Sequence, residues 1–137
     1  MHSQMILSLD DAKRIADACR SCATNHNWTM VIAIVDEGGH LMYLERMDRT
    51  QKASSVVAVE KAKTALLFKR PTKKIEEVVL SGRSVMMMLP GATPIEGGLP
   101  LVRDGEFLGA IGISGQQSSE DGIVAAAGVA CFDALQP

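Results

Sequence analysis

Apolar residues recur at helical spacing over the first part of the chain. Ser8 precedes this pattern and is suited to cap a helix, and Asp10 and Asp11 would place carboxylates in the electropositive first turn. The pattern dissolves at residues 25–27, so it predicts a first helix over about residues 8–25. Its apolar face comprises Ala12, Ile15, Ala16, Cys19, Cys22 and Ala23.

The next segment changes to the pattern of a β-hairpin. Residues 30–35 form a short apolar run rich in β-branched side chains, which is typical of a buried strand. Residues 36–39, Asp-Glu-Gly-Gly, supply turn chemistry because glycine adopts positive φ without strain. Residues 40–47 then alternate between apolar and polar positions, which predicts a second, antiparallel strand.

Two helices are predicted in the middle of the chain. An apolar stripe extends over about residues 52–68 and ends before Pro71, and Thr72 is placed to cap a short third helix that stops at Gly82. Residues 82–94 are rich in helix breakers and methionine. This segment is either a loop that closes over a site or a surface crossover.

The C-terminal half predicts further strands and a last helix. Residues 95–102 are extended, and the pair Gly97-Gly98 within them indicates a bulge or a close backbone approach. Asp104-Gly105 is a hairpin signal before a strand over residues 107–113, and an alanine-rich helix follows over about residues 119–135. Because tight turns join consecutive strands, we expect an antiparallel sheet of the α+β class.

Composition limits the size of the molecule and its partners. A length of 137 residues, 47% of them hydrophobic, predicts one globular domain over residues 1–137. A net charge of −2 gives no reason to expect nucleic acid or an anionic membrane as partner, and no apolar run is long enough for a membrane helix. Since the N-terminus lacks a basic segment followed by an apolar run, we expect a cytoplasmic protein. The three cysteines argue against a disulfide framework, and the histidine spacing predicts no metal site.

A succession of short motifs covers nearly the whole chain. They occupy residues 7–12, 35–41, 46–48, 60–65, 70–72, 97–101 and 109–115, followed by the acidic pair Glu120-Asp121. In this order they resemble the GlcG/HbpS family, which also occurs as the C-terminal domain of PduO-type proteins. The resemblance implies a profilin-like antiparallel sheet of about five strands with helices on both faces. It also implies a homo-oligomer, often a tetramer or octamer, that binds a small ligand, which is haem or a related tetrapyrrole in some members.

Two residues are candidates for chemistry. His40 follows the Gly38-Gly39 turn, where a neutral imidazole could bind haem iron or act as a general base; the alternative is a histidine that closes the hairpin by bonding to backbone. Glu96 precedes two glycines among apolar residues, where partial desolvation would suit acid/base work; the alternative is a charge on an edge strand.

A second set of residues is suited to bind an anion. The Ser114-Gly115 turn precedes the last helix, and exposed N–H groups at a helix N-terminus bind carboxylate or phosphate. Gly97-Gly98 would bring a second backbone segment close. The cationic candidates are Arg46, Lys61 and Arg70; the alternative for Arg46 and Lys61 is that they are ordinary surface charges.

Two functions therefore remain open, beside an oligomeric scaffold without a ligand of its own. The first is a small-ligand-binding protein, with haem as the candidate cofactor. The alternative is an enzyme of small organic-acid or aromatic catabolism, which acts on a carboxylated metabolite by tautomerase-like or hydrolase-like acid/base chemistry at a subunit-interface pocket. Both depend on one structural hypothesis: the turns at Gly38-Gly39, Gly97-Gly98 and Ser114 surround a shared cavity.

Overall fold

A computed structural model describes all 137 residues, which form four α-helices, four β-strands and one short 3₁₀ helix. The helices are α1 (Leu9–Asn25), α2 (Ser54–Leu67), α3 (Thr72–Leu80) and α4 (Ser118–Ala134), and the 3₁₀ helix is Ser84–Met88. The strands are β1 (Val31–Asp36), β2 (Leu41–Arg46), β3 (Gly98–Arg103) and β4 (Glu106–Ser114). None of the helices combines the length and apolarity needed to cross a bilayer.

The four strands form one sheet in the order β2-β1-β4-β3, and every neighbouring pair is antiparallel. This confirms the α+β class and the antiparallel sheet. The sheet has four strands and not about five. The strand predicted over residues 95–102 begins at Gly98.

Helices cover both faces of the sheet, as the resemblance implied. On β1, Ile32 and Ile34 belong to the main core with α1 and α4, whereas Val31, Ala33 and Val35 pack on the opposite side against α2. All five side chains are fully buried. A strand covered on both faces requires apolar residues at every position, which explains the uninterrupted apolar run in this segment.

Small residues allow α2 to approach the sheet closely. Ala58, Ala62 and Ala65 are its buried alanines. A Cβ on Gly112 of β4 would collide with the Ala58 carbonyl oxygen, so only glycine is accommodated at this contact. This close approach fixes the position of Lys61, which lies on the same helix.

Of the two residues predicted to cap the start of a helix, Ser8 does so and Thr72 does not. Ser8 caps α1 as predicted, because its Oγ accepts a hydrogen bond from the Asp11 N–H at 3.0 Å and the Asp11 carboxylate accepts one from the Ser8 N–H. Thr72 was expected to cap α3, but its hydroxyl makes no capping bond. Its Oγ1 instead accepts a hydrogen bond from the Gly98 N–H at 2.9 Å, which ties α3 to the start of β3.

Of the two glycine-containing segments in the C-terminal half, one has the predicted conformation and the other does not. Asp104 and Gly105 have φ values of 52° and 78° and form the tight β3–β4 turn, as predicted. Gly97 and Gly98 do not form a bulge inside a strand. Gly97 precedes β3 and Gly98 is its first residue. A Cβ on Gly98 would collide with the Lys61 carbonyl oxygen, so the close backbone approach is present.

Candidate functional site

The three glycine-bearing turns do not share a cavity within one chain. In the register of the sheet, Asp36 pairs with Gly109, whereas Val31 at the other end of β1 pairs with Ser114. Gly98 pairs with Gly112 and therefore lies at the Ser114 end. The hairpin turn that holds His40 is at the opposite end of the sheet. The structure thus replaces the single site of the sequence hypothesis with two separate regions.

The first region is centred on His40. Asp36 Oδ1 accepts hydrogen bonds from the N–H groups of Gly38 and His40, both at 2.9 Å, and His40 Nδ1 lies 3.5 Å from the same oxygen. Partial burial of Asp36 opposes ionisation, but these backbone donors and the nearby imidazole lower the pKa of its carboxyl below the ordinary value. The His40 side chain is 84% exposed, so it is the backbone and not the ring that closes the hairpin.

The orientation of the His40 ring matters for its chemistry. A carboxylate beside one ring nitrogen favours the proton on that nitrogen and leaves the other nitrogen free to act as a ligand or a base. Because Nδ1 faces Asp36, Nε2 is the nitrogen available to a ligand.

An open cleft of about 440 Å³ lies at the same end of the sheet. Leu66, Leu67 and Phe107 give it an apolar wall, and Lys69 adds a cation whose Nζ lies 5.5 Å from the centroid of the Phe107 ring. Glu37, in the turn that leads to His40, also lines the cleft. His40 itself does not line this cleft, but a Cβ on the adjacent Gly39 would contact the Leu66 and Leu67 side chains. The cleft therefore lies beside the His40 turn, is partly apolar, and carries Glu37 and Glu106 as well as Lys69.

The second region contains a buried ion pair. Lys61 Nζ donates hydrogen bonds to Asp121 Oδ2 and to the Ile113 carbonyl oxygen, both at 3.0 Å. Only 2% of the Lys61 side chain and 3% of the Asp121 side chain are exposed. Burial raises the pKa of the Asp121 carboxyl, and the Lys61 ammonium opposes that shift. Lys61 is thus neither a surface charge nor free to bind an anion.

Two backbone donors just before α4 are bonded to carboxylates of the protein itself. Asp121 Oδ1 accepts a hydrogen bond from the Gln116 N–H at 3.0 Å, and Glu120 Oε1 accepts one from the Gln117 N–H at 3.2 Å. Ser114 is buried, and its hydroxyl bonds to Ser54 Oγ at 3.1 Å. An anion at the Ser114-Gly115 turn would therefore compete with the carboxylates of Glu120 and Asp121 for these two donors.

The two arginines of the anion hypothesis do not converge on this region. Arg46 is exposed at the last position of β2. Arg70 is also exposed, and its Nε donates a hydrogen bond to the Phe68 carbonyl oxygen at 2.8 Å. Neither arginine lines a cavity.

Glu96, Gly97 and Gly98 do come together, in a cavity of about 340 Å³ between α3, β3 and α4. Lys73 and Lys74 on α3 line the same cavity and had not been recognised in the sequence. They occupy the exposed side of α3, where lysines are usually solvated, so no local pattern identifies them. Glu96, the carboxylate of the acid/base hypothesis, lines this cavity.

Comparison with known proteins identifies the family. A family model described as "Haem degrading protein HbpS-like" matches residues 7–130. The chain belongs to the HbpS-like family. Protein GlcG of Escherichia coli strain K12 is 42% identical over 114 residues, which cover 83% of this chain and 85% of that protein. The expected GlcG/HbpS resemblance is thereby confirmed.

Two solved structures of HbpS-like proteins share the fold. The crystal structure of a PduOC–haem complex has a TM-score of 0.84 and 29% identity, with 93% of this chain and 95% of that chain covered. A double mutant of HbpS from Streptomyces reticuli has a TM-score of 0.87 and 26% identity, with coverage of 95% and 89%. The likeness covers more than nine tenths of this chain in both structures.

Proposed function

We propose that the protein binds haem or a related tetrapyrrole, with His40 as the iron ligand. The observation that carries the proposal is the exposed His40 ring, whose Nδ1 faces Asp36 while Nε2 is free. Haem iron is commonly held by a histidine whose other ring nitrogen is hydrogen-bonded, because that partner fixes the tautomer and the ring orientation. The family membership and the likeness to a haem complex of PduOC support the same ligand.

The cleft beside the His40 turn offers groups that suit the rest of a haem molecule. Its macrocycle requires apolar surface, which Leu66, Leu67 and Phe107 provide, and its propionates require a cation, which Lys69 provides. When bound, haem would supply a redox-active iron, and the chain would supply the ligand nitrogen and the surrounding wall.

Haem titration of the purified chain tests the proposal. We expect a Soret band that saturates near one haem per chain and is abolished or strongly shifted in His40→Ala. The matched control is His26→Ala, because His26 is also exposed and its Nδ1 bonds to the Cys22 carbonyl oxygen at 2.8 Å. Absorbance that rises without saturation, or a Soret band that is unchanged in His40→Ala, would contradict the assignment.

We further propose a homo-oligomer, tetrameric or octameric, located in the cytoplasm. Support for assembly comes from α3 and the 3₁₀ helix, where Leu80, Val85, Met87 and Met88 are each more than half exposed although apolar. Support for a reducing compartment comes from the three free cysteines. Light scattering after size exclusion should give four or eight chains per particle; a monomer at micromolar concentration would overturn the proposed assembly.

A further inference from the structure

The cavity between α3, β3 and α4 carries charges of both signs that the protein itself does not pair. Its wall includes Lys73, Lys74 and Glu77 from α3, and Glu96 from the segment before β3. None of these four side chains takes part in a salt bridge, although the chain forms five elsewhere. A wall of this kind leaves both cationic and anionic groups available to a ligand.

The floor of the cavity consists of backbone. Gly97 and Gly98, which are both buried, and Gly122 of α4 line the cavity without side chains. Glu96 is half-buried, and its carboxylate rests directly against Gly122, where a Cβ would collide with Glu96 Oε2. Gly122 therefore leaves room for the Glu96 carboxylate at the wall of the cavity.

Lys61 lies behind this floor and does not add charge to the cavity. A Cβ on Gly97 would come within 2.8 Å of Lys61 Nζ, so the ammonium is directly beneath the glycine. Its charge is neutralised by Asp121 through the buried ion pair. The charges that a ligand meets are therefore the lysines and glutamates of the wall, two of each sign.

We propose that this cavity binds a small zwitterion, a molecule that carries an amine and a carboxylate a few bonds apart. Lys73 and Lys74 receive the carboxylate, and Glu96 receives the ammonium group. A ligand with a single charge would satisfy one side of the wall and leave the other unpaired. The volume of about 340 Å³ is at the lower limit of small-molecule sites, which favours a ligand of amino-acid size.

This site is independent of the proposed haem site, because the two lie at opposite ends of the sheet. Failure of haem binding leaves it intact, and its own failure leaves haem binding intact. The proposal concerns binding and includes no covalent step.

Nuclear magnetic resonance titration of the ¹⁵N-labelled chain tests it. The probes are L-alanine, L-leucine and L-glutamine, compared with propionate and propylamine, which each carry one of the two charges. We expect saturable shifts of the Gly97 and Gly98 amide signals with at least one amino acid, and binding at least about tenfold weaker for the singly charged probes.

Variants assign the contacts. Glu96→Gln and the double variant Lys73→Met/Lys74→Met should each weaken binding about tenfold or more, whereas Glu60→Gln and Lys52→Met on other surfaces should not change it. Gly122→Ala keeps every charge but displaces the Glu96 carboxylate, so it should also weaken binding. Thermal melting confirms that each variant is folded.

Four results would overturn the proposal. They are equal binding of propionate or propylamine, shifts that map elsewhere, undiminished binding in Glu96→Gln, and the absence of any saturable shift.

Discussion

Lys61 and Asp121, sixty residues apart in the chain, form an ion pair that is almost completely buried, with 3.0 Å between Nζ and Oδ2. The pair joins α2 to the start of α4. Lys61 also bonds to the end of β4 through the Ile113 carbonyl oxygen. Three elements thus meet at one ammonium group directly below Gly97.

Removal of one partner should be far more costly than removal of a surface charge. Lys61→Met leaves the Asp121 carboxylate buried without its counter-ion, so we expect a loss of about 3–5 kcal/mol in the free energy of unfolding. Lys63→Met is the matched control, because Lys63 lies on the same helix in a partly exposed pair with Glu60, with 3.6 Å between the charged atoms. It should cost less than about 1 kcal/mol.

Urea unfolding at a fixed protein concentration measures both variants. The double variant Lys61→Met/Asp121→Asn should be more stable than Lys61→Met alone, because the uncompensated carboxylate is then removed. Equal losses for the Lys61 and Lys63 variants would show that the buried pair has no special role.

Gly112→Ala tests the close contact between α2 and the sheet. The added Cβ would collide with the Ala58 carbonyl oxygen, which belongs to the backbone of α2 and can move only with the helix. We expect a loss of about 1–3 kcal/mol, as for other overpacked cores. Gly122→Ala meets only the flexible end of Glu96 and gains helix propensity, so its cost should be smaller. Thermal melting compares the two; a similar loss in both would contradict this account.

Local patterns predicted most of the fold. Residues 30–35, the Asp104-Gly105 turn and the Ser8 cap each depend on neighbours in sequence, and all three are found as expected. The predicted Thr72 cap is absent because the Thr72 hydroxyl instead accepts a hydrogen bond from the Gly98 N–H, which is distant in sequence. The start of β3 at Gly98 was also missed, since it depends on the backbone of α2.

The candidate site was less predictable because it depends on tertiary contacts. Antiparallel pairing of β1 with β4 requires that the turn after β1 and the turn after β4 lie at opposite ends of the sheet, so topology alone separates His40 from Ser114. Lys61 gave a usable signal: a lysine among the buried alanines of α2 needs a buried partner. The identity of that partner, Asp121, required the fold.

The lowered pKa of Asp36 makes the first hairpin sensitive to acid. The folded state binds protons less readily than the unfolded state, so the carboxylate stabilises the fold above its ordinary pKa, and this contribution is lost as pH falls through the lower, folded value. Asp36→Asn keeps the acceptor oxygen but removes the charge. It should be less stable than the wild type at pH 7, and the difference should shrink below about pH 4. Urea unfolding at both pH values measures it; a difference that grows in acid would contradict the assigned direction.

The cysteines should differ in reactivity. Cys19 is fully buried, and burial raises the pKa of its thiol, so it should resist iodoacetamide until the chain unfolds. Cys22 is half-buried one helical turn later and should react first in the native state. Mass spectrometry of peptides from briefly labelled protein measures the order, and labelling of Cys19 at the rate of Cys22 would show that α1 does not stay packed against α4.

Lys69 should contribute to haem affinity through the propionates and not through the iron. Lys69→Met removes the cation beside Phe107 but keeps a long apolar side chain in the cleft wall. We expect binding of haem to weaken by about three- to tenfold, the range of a partly exposed charge contact. Binding of haem dimethyl ester, which lacks the propionate charges, should be the same in the variant and the wild type. Lys52→Met serves as the control for net charge, because Lys52 is exposed and lines no cavity. An equal loss for haem and its ester would mean that Lys69 supports the shape of the cleft and does not pair with a propionate.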